Sequence, residues 1–424
     1  MIIKNLDQVS RTSLRRVALE IVEAGFEAIQ TKSVIQKNIE LVGEKLTIKG
    51  VEFDLRDFSY IYVFGAGKGA FETCAQLEKI LGERIKAGLV IDVKGGQLAR
   101  IRSVVGTHPD PSETNVEATR QLMKMVEGAS EDSLILFVIA GGGSALLTAP
   151  FEVSPQTKAS IITNLMNVGA DIYELNVVRK HLSLVKGGRL AKLAYPRRVV
   201  NLIFSDVPGN DPSTIASGPT VLDESTSSEA ETILRKRGVW QKLSLEGLEF
   251  TDTPKEEKYF SKVRNIILQE PASVVFAMQD KARGLGWKSR IFATDLVGDA
   301  SEVGRRLLKD VKKGEILLGS GETTVKVTGD GVGGRNQHLV LTNIENIRKG
   351  QVLIAAASDG HDHSDSAGAI ADGLSIFRAK EKGLNIGDYI ERNDSFEFFK
   401  ILGDSFNTGL LESNVSDFYL VLQA

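Results

Sequence analysis

At 424 residues the chain exceeds what one hydrophobic core ordinarily supports, so two domains are expected. Apolar residues make up 42% and charged residues 25%, with a formal net charge of −3 and no basic block, which argues against a nucleic-acid surface. The single cysteine, Cys74, excludes an intramolecular disulfide and a cysteine-based zinc site. No run approaches the roughly 18 apolar residues of a membrane span. The N-terminal MIIKNLDQVSRTSLRR also has no apolar stretch of signal-peptide length, so no membrane partner and a cytoplasmic protein are expected.

Residues 11–45 carry helical spacing of apolar positions, among them Leu14, Val17, Ala18, Ile21, Ala24 and Ile29. Four short apolar runs follow: 60–64, ending in Gly65-Ala-Gly-Lys-Gly-Ala70; 87–92; 133–139, ending in Gly141-Gly-Gly-Ser144; and 198–204, ending in Ser205-Asp206. Continuous runs of this kind suit strands buried on both faces of a parallel sheet. Helical segments at 69–82, 114–128, 156–168 and 181–194 supply the crossovers. Cys74 falls in the first of these and reads as a buried, inert thiol. A charged, polar stretch at about 225–258 reads as a link. Beyond it, strands are expected at 272–277, 288–293, 315–319, 351–357 and 417–422, with 323–328 alternating like a half-exposed antiparallel strand. The expectation is an α/β protein: a Rossmann-like parallel-sheet domain over 1–245 and a smaller α/β domain with a mixed sheet over 258–424.

The glycine turns carry the chemistry. In 65–70, small residues let backbone N–H groups approach an anion, and the helix that follows adds its N-terminal partial charge. The spacing G-x-G-x-x-A over Gly65, Gly67 and Ala70 is a variant of the dinucleotide fingerprint, with Asp92 where a ribose ligand belongs. Lys68 instead puts a fixed cation inside the turn, suited to a phosphate or carboxylate; the plain alternative is a solvated lysine. Gly141, Gly142 and Gly143 imply close backbone approach, to a ligand or to another loop. Ser144 lacks the glycine two positions later that a nucleophile elbow needs, and reads as a helix cap or a phosphate donor. Asp206 and Asp211 could hold Mg²⁺, take a proton from a hydroxyl, or merely satisfy turns. Arg179, His181, Lys186 and Arg189 lie in a segment, 176–189, without an acidic residue. On one helix they would repel unless an acidic ligand relieved them. In the second half Arg335 stands alone among glycines, placed for bidentate contact with an oxyanion, and Glu322 could hold a metal or orient it. Ser358-Asp-Gly-His-Asp-His-Ser-Asp365 looks metal-like, but contacts from Asp359 or turn chemistry fit it better.

In their order, GAGKGA (65–70), GGGSALL (141–147), NVVRKHLSLVKGGRLA (176–191), SDVPGNDPSTIASGPT (205–220), GSGETTVKVTGDGVGGRNQ (319–337), SDGHDHSDSAGA (358–369) and NDSFEFF (393–399) resemble the class II, MOFRL-type glycerate 2-kinases over nearly the whole chain. The resemblance implies two α/β domains with the active site in the cleft between them, the second being the MOFRL domain. It implies MgATP as donor, D-glycerate as acceptor and 2-phosphoglycerate as product. Lys68 and Arg335 match the family's essential lysine and arginine, with Asp206 as the third catalytic residue. Gly65, Gly67, Gly141, Gly142, Gly143, Ser144, Lys186 and Glu322 become the nucleotide-binding set, and Asp206 and Asp211 the Mg²⁺ ligands. A homodimer is compatible with all this, the sequence leaving oligomeric state open. Two stretches depart from the family pattern, His361-Asp-His363 and Thr408-Gly-Leu-Leu-Glu-Ser-Asn-Val415. Some members once carried the label hydroxypyruvate reductase, which the glycine turn invites. A nicotinamide-dependent reductase and a non-catalytic sensor of phosphorylated sugar acids are the rival readings.

Overall fold

The chain enters its first compact unit, leaves it, and returns. Met1–Ser33 clusters with Pro271–Ala424, while Val34–Glu270 forms a contiguous second unit. The structure is a computed structural model that describes residues 1–207, 209–412 and 415–424; part of the 408–415 departure, residues 413 and 414, lies outside them. The division differs from the expected 1–245 and 258–424 at both ends, and long-range packing is the reason. Helix Ser13–Ala28, capped by Thr12 accepting from the Arg15 amide, sends Leu19, Val22 and Phe26 into a core with Val274, Met278, Phe418 and Leu420. Gly25 permits the crossing of helix Ser273–Gly284: a Cβ there would stand 2.8 Å from Met278 Cγ.

The expected helical stretch 11–45 ends early. After helix Thr31–Asn38 come strands β1 (Ile39–Val42), β2 (Lys45–Ile48) and β3 (Val51–Asp54), an antiparallel meander. Then follow β4 (Ile61–Ala66), β5 (Ile85–Asp92), β6 (Ile101–Val105), β7 (Leu134–Ile139), β8 (Arg198–Phe204) and β9 (Val263–Gln269). They pair in parallel in the order β6-β5-β4-β7-β8-β9. Counted within this sheet the order is third, second, first, fourth, fifth, sixth, the doubly wound Rossmann arrangement, whose ligands bind beyond the strands' carboxyl ends where the order reverses. Here that point lies between β4 and β7. β9 is the reason the unit continues past 258. Residues 225–258 do not form a bare link either. Helices Ser227–Lys236 and Val239–Lys242 bury Leu234 and Trp240 against Ile161, Leu165 and Val178.

The helix expected over 181–194 is two helices, Ile172–His181 and Arg189–Ala194. Gly187 and Gly188, at φ +57° and +78°, break it. A Cβ on Gly188 would meet the Phe260 ring at 2.7 Å.

In the other unit, β10 (Lys288–Asp299), β11 (Glu315–Thr324), β12 (Gln351–Ala356), β13 (Gly368–Asp372), β14 (Ser405–Phe406) and β15 (Asp417–Gln423) form a mixed sheet in the order β10-β11-β15-β12-β13-β14. Only β10 and β11 pair in parallel. Two expected strands are absent. Residues 272–277 belong to helix Ser273–Gly284, whose Val274, Val275, Met278 and Ala282 share a buried face, so helical packing overrides β-branched propensity. β11 ends at Thr324, and 325–328 are irregular; Asn393 Oδ1 instead accepts from the amides of Thr328 (2.7 Å) and Gly329 (2.9 Å).

Arg15 ties helix Ser13–Ala28 to this sheet. Fully buried, it donates from Nε to Asp372 Oδ2 at 2.6 Å and from Nη1 and Nη2 to the two Asp404 oxygens at 2.9 and 2.8 Å. Removing one member of a buried ion network leaves uncompensated charge. Arg15→Met is therefore expected to destabilise this unit by about 3–5 kcal/mol, measured as a lower guanidinium midpoint, while Arg16→Met on the exposed face of the same helix leaves the midpoint nearly unchanged.

Candidate active site

In the β4 turn, Gly67 adopts φ +128°. A Cβ there would stand 2.5 Å from the Ala140 carbonyl oxygen. The Gly67 amide donates to Ile91 O (3.2 Å) and the Lys68 amide to Gly141 O (2.8 Å), so the ends of β5, β4 and β7 are sewn together around Lys68. Gly65 does something else: a Cβ on it would lie 2.9 Å from Cys74 Sγ. It is a packing glycine under helix Ala70–Leu81, and its expected place in a ligand loop is corrected accordingly. Cys74 is buried, and burial pushes its thiol far up.

Asp92 occupies the place that would make this turn a dinucleotide site. Its carboxylate is buried and accepts from the Phe71 amide (2.9 Å) in the first turn of helix Ala70–Leu81, and from the Val93 amide (2.6 Å). The anion at that helix N-terminus is the protein's own, so Asp92 reaches inward and not toward a ribose.

The three glycines after β7 each face a different neighbour. A Cβ on Gly141 would stand 2.6 Å from Asp206 Oδ2; on Gly142, 2.8 Å from His108 Cδ2; on Gly143, 3.1 Å from Ala216 Cβ. A carboxylate from the end of β8 and an imidazole from beyond β6 thus rest on bare backbone. Burial, and then the positive charge of Lys68, hold the His108 imidazole below its usual range, placing Lys68 on the same side.

Beside these loops opens a cavity of about 280 Å³, with Gly142, Ser144, His108, Lys158, Arg179 and Lys186 on its wall. Lys186 is fully buried and donates to Ala216 O at 3.0 Å; burial, then Lys158 and Arg179, hold its ammonium well below the ordinary range. The other basic residues of the 176–189 segment turn elsewhere. Lys180 pairs with Asp223 at 2.9 Å, buried His181 donates to Thr251 O at 2.8 Å, and Arg189 donates to the same carbonyl at 2.6 Å.

Asp211 takes the turn reading. Its carboxylate accepts from the Ser213 amide (2.9 Å), Ser213 Oγ (2.6 Å) and Thr214 Oγ1 (3.2 Å).

In the unit built on β10–β15, Arg335 opens helix Arg335–Asn343. Its Nε donates to Asp417 Oδ2 at 2.5 Å, and Nη1 lies 3.6 Å from Glu322 Oε2. Glu322 is thus within ion-pair reach of Arg335. Asp417 is a residue the sequence reading missed: it opens β15, is buried, and burial pushes its carboxyl up to about 7 despite Arg335. Asp362 caps the same helix, accepting from the amides of Asn336 (3.1 Å) and Gln337 (2.7 Å). A Cβ on Gly334 would fall 2.1 Å from its Oδ1. His361 and His363 are exposed on either side. Among the described residues no group of three or more His, Cys, Asp or Glu could hold a metal ion, and no helix is long and apolar enough to cross a membrane.

Comparison with known proteins adds identity to this geometry. Residues 17–249 match a family described as a domain of unknown function (DUF4147), and residues 315–417 match the MOFRL family. A D-glycerate 2-kinase of Thermotoga maritima is 33% identical over 97% of this chain and 98% of its own length. A putative hydroxypyruvate reductase of Agrobacterium vitis is 33% identical over 85% of this chain and 86% of its own. A crystal structure of a glycerate kinase from Thermotoga maritima superposes with a TM-score of 0.87 at 32% identity, covering 97% of this chain and 100% of that one.

The capping of helix Ala70–Leu81 by Asp92 generates a test of the nicotinamide reading. Titrating the protein into NADH or NADPH is expected to leave nicotinamide fluorescence unchanged, and a saturable enhancement would contradict it.

Proposed function

The chain belongs to the MOFRL-type glycerate kinase family, and from that premise we propose how its own residues carry out the transfer. It is an ATP-dependent glycerate 2-kinase, moving the γ-phosphoryl group to the 2-hydroxyl of glycerate. In such a transfer there is little covalent work for the protein, and positioning and electrostatic stabilisation supply most of the catalysis. The oxygen of the 2-hydroxyl bonds to phosphorus as the bond to the ADP oxygen breaks, its proton passing to the Asp206 carboxylate and on to solvent, without a covalent enzyme intermediate.

Lys68 neutralises charge developing on the transferring group, and its backbone is pinned to Gly141. Arg335 has the same task; buried Asp417 fixes its Nε edge, with Glu322 3.6 Å from its Nη1. The amides of Gly141 and Gly142 and Ser144 receive phosphate oxygens, while the Gly143 amide closes the turn onto Ala140 O at 3.0 Å and Gly67 allows the approach. Asp206, resting on Gly141, fits a Mg²⁺ that arrives with ATP, because such an ion is held by one or two carboxylates plus phosphate oxygens. Asp206 would be the residue that holds such an ion, whose positive charge would offset that of the phosphates. Asp211 is too engaged with Ser213 and Thr214 to be more than an outer partner. A cytoplasmic setting, where ATP is plentiful, belongs to the same reading.

The observation that carries this reading is the convergence of Lys68, His108 and Asp206 on bare glycine backbone at the strand ends. ³¹P NMR with MgATP and D-glycerate is expected to show 2-phosphoglycerate; a 3-phosphoglycerate resonance would overturn the regiochemistry. Lys68→Ala and Arg335→Ala should each lower kcat by about 10²–10³-fold at unchanged melting temperature, and near-normal turnover in either would remove that residue from the mechanism. Asp417→Asn is expected to lower kcat by about tenfold, because the guanidinium loses its buried anchor.

A further inference from the structure

Lys158 is the charge that this mechanism leaves unused. It lies on helix Pro155–Asn167, is 5% exposed, and its Nζ has no hydrogen-bond partner among the described residues. A buried ammonium with three unused donors is costly unless an anion meets it. Its neighbours on the cavity wall are of the same sign. Lys186 makes one hydrogen bond, to Ala216 O, and Arg179 makes a long one, 3.4 Å from Nη1 to Asn176 Oδ1. Facing them are His108, which burial and Lys68 keep toward its neutral form, and Asp110, the single carboxylate on the wall.

We infer that this cavity receives the carboxylate of the acceptor hydroxy acid, and that Lys158 is the residue that selects it. The inference rests on the glycerate kinase reading and names the substrate group that the reading leaves unplaced. Several observations favour a carboxylate over a nucleotide phosphate. The phosphates of MgATP arrive with their own cation and have Lys68 and the glycine turns to receive them. The acceptor carboxylate arrives bare. Lys158 and the fully buried Lys186 share the wall of a cavity of about 280 Å³, a size that suits the terminal group of a small ligand. Apolar walls from Pro109, Ile162 and Met166 keep water from competing. Anchored this way, a hydroxy acid presents the hydroxyl on the carbon next to the carboxylate, while the 3-hydroxyl lies one carbon further out. The anchor thereby favours attack by the 2-hydroxyl.

The electrostatics give the site a second signature. Burial, and then the charges of Arg179 and Arg189, lower the Lys158 ammonium to about 7. Above that pH the empty site holds a neutral amine, and an arriving carboxylate restores the charge. Binding therefore takes up a proton, and affinity falls as pH rises through 7 and beyond.

The test compares the full-length wild type with Lys158→Gln and Lys158→Arg, after thermal melts establish that both are folded. Lys158→Gln is expected to raise KM for D-glycerate by about a hundredfold while KM for MgATP stays within about twofold; Lys158→Arg should recover part of the loss. Calorimetric titration of D-glycerate without nucleotide at pH 8, in two buffers of different ionisation enthalpy, should show proton uptake in the wild type and clearly less in Lys158→Gln, where only Lys186 remains to take one up. A loss of MgATP affinity with D-glycerate unaffected would make the cavity a phosphate subsite and overturn the proposal. So would normal constants for both substrates, which would leave Lys158 structural. Turnover with an unaltered D-glycerate KM in Lys158→Gln sinks the subsite and spares the kinase. Proton-coupled D-glycerate binding without any turnover does the reverse.

Discussion

The ends of β4 and β7 approach so closely that no Cβ fits between Gly67 and the Ala140 carbonyl, and the functional half of the parallel-sheet unit follows from that constraint. Bare backbone on both turns lets the Lys68 amide bond to Gly141 O. It lets Asp206 rest on Gly141 and His108 on Gly142. Glycine is entropically expensive, and here the expense has an identifiable return: a carboxylate, an imidazole and a lysine converge where the strand order reverses. The crowding sits at the carboxyl edge of the parallel sheet, where ligands of such folds bind.

Two carboxylates that might have served ligands serve helices instead. Asp92 caps helix Ala70–Leu81 and Asp362 caps helix Arg335–Asn343. A helix N-terminus attracts an anion whatever its source, and an internal one is always present at full effective concentration. The first cap removes the pyrophosphate seat of a dinucleotide. The second fixes the backbone of the residue before it in that turn, Arg335, whose side chain Asp417 then orients. A sequence that looks like a nucleotide fingerprint and a metal cluster thus becomes two anchoring devices.

Much of the fold was legible in the sequence because parallel strands buried on both faces have to be apolar throughout, as β7 is over Leu134–Ile139. The glycine turns, Lys68, Asp206 and Arg335 stand out in the sequence because polar and flexible residues gather where apolar runs end. What escaped was set by distant packing. Val274, Val275 and Phe276 have strand propensity, yet helix Ser13–Ala28 supplies a surface that receives Val274 and Val275 as a helix. The unit boundaries depend on β9 and on Arg15, whose partners lie more than 350 residues away. Lys158 is an ordinary lysine on an amphipathic helix until the fold buries it, and Asp417 reads as the start of an apolar strand. Nothing local marks either.

The discontinuous unit imposes an order on synthesis. Helix Ser13–Ala28 leaves the ribosome early, but the sheet that receives it is completed only by β15, which spans Asp417–Gln423 and lies between β11 and β12. At ordinary elongation rates the nascent helix waits on the order of half a minute with Leu19, Val22 and Phe26 exposed. The parallel-sheet unit, contiguous over Val34–Glu270, emerges whole in the meantime and can fold first. The cell therefore handles a chain whose leading segment is its last to be housed, and that stripe of apolar side chains is where a holding chaperone would find its grip.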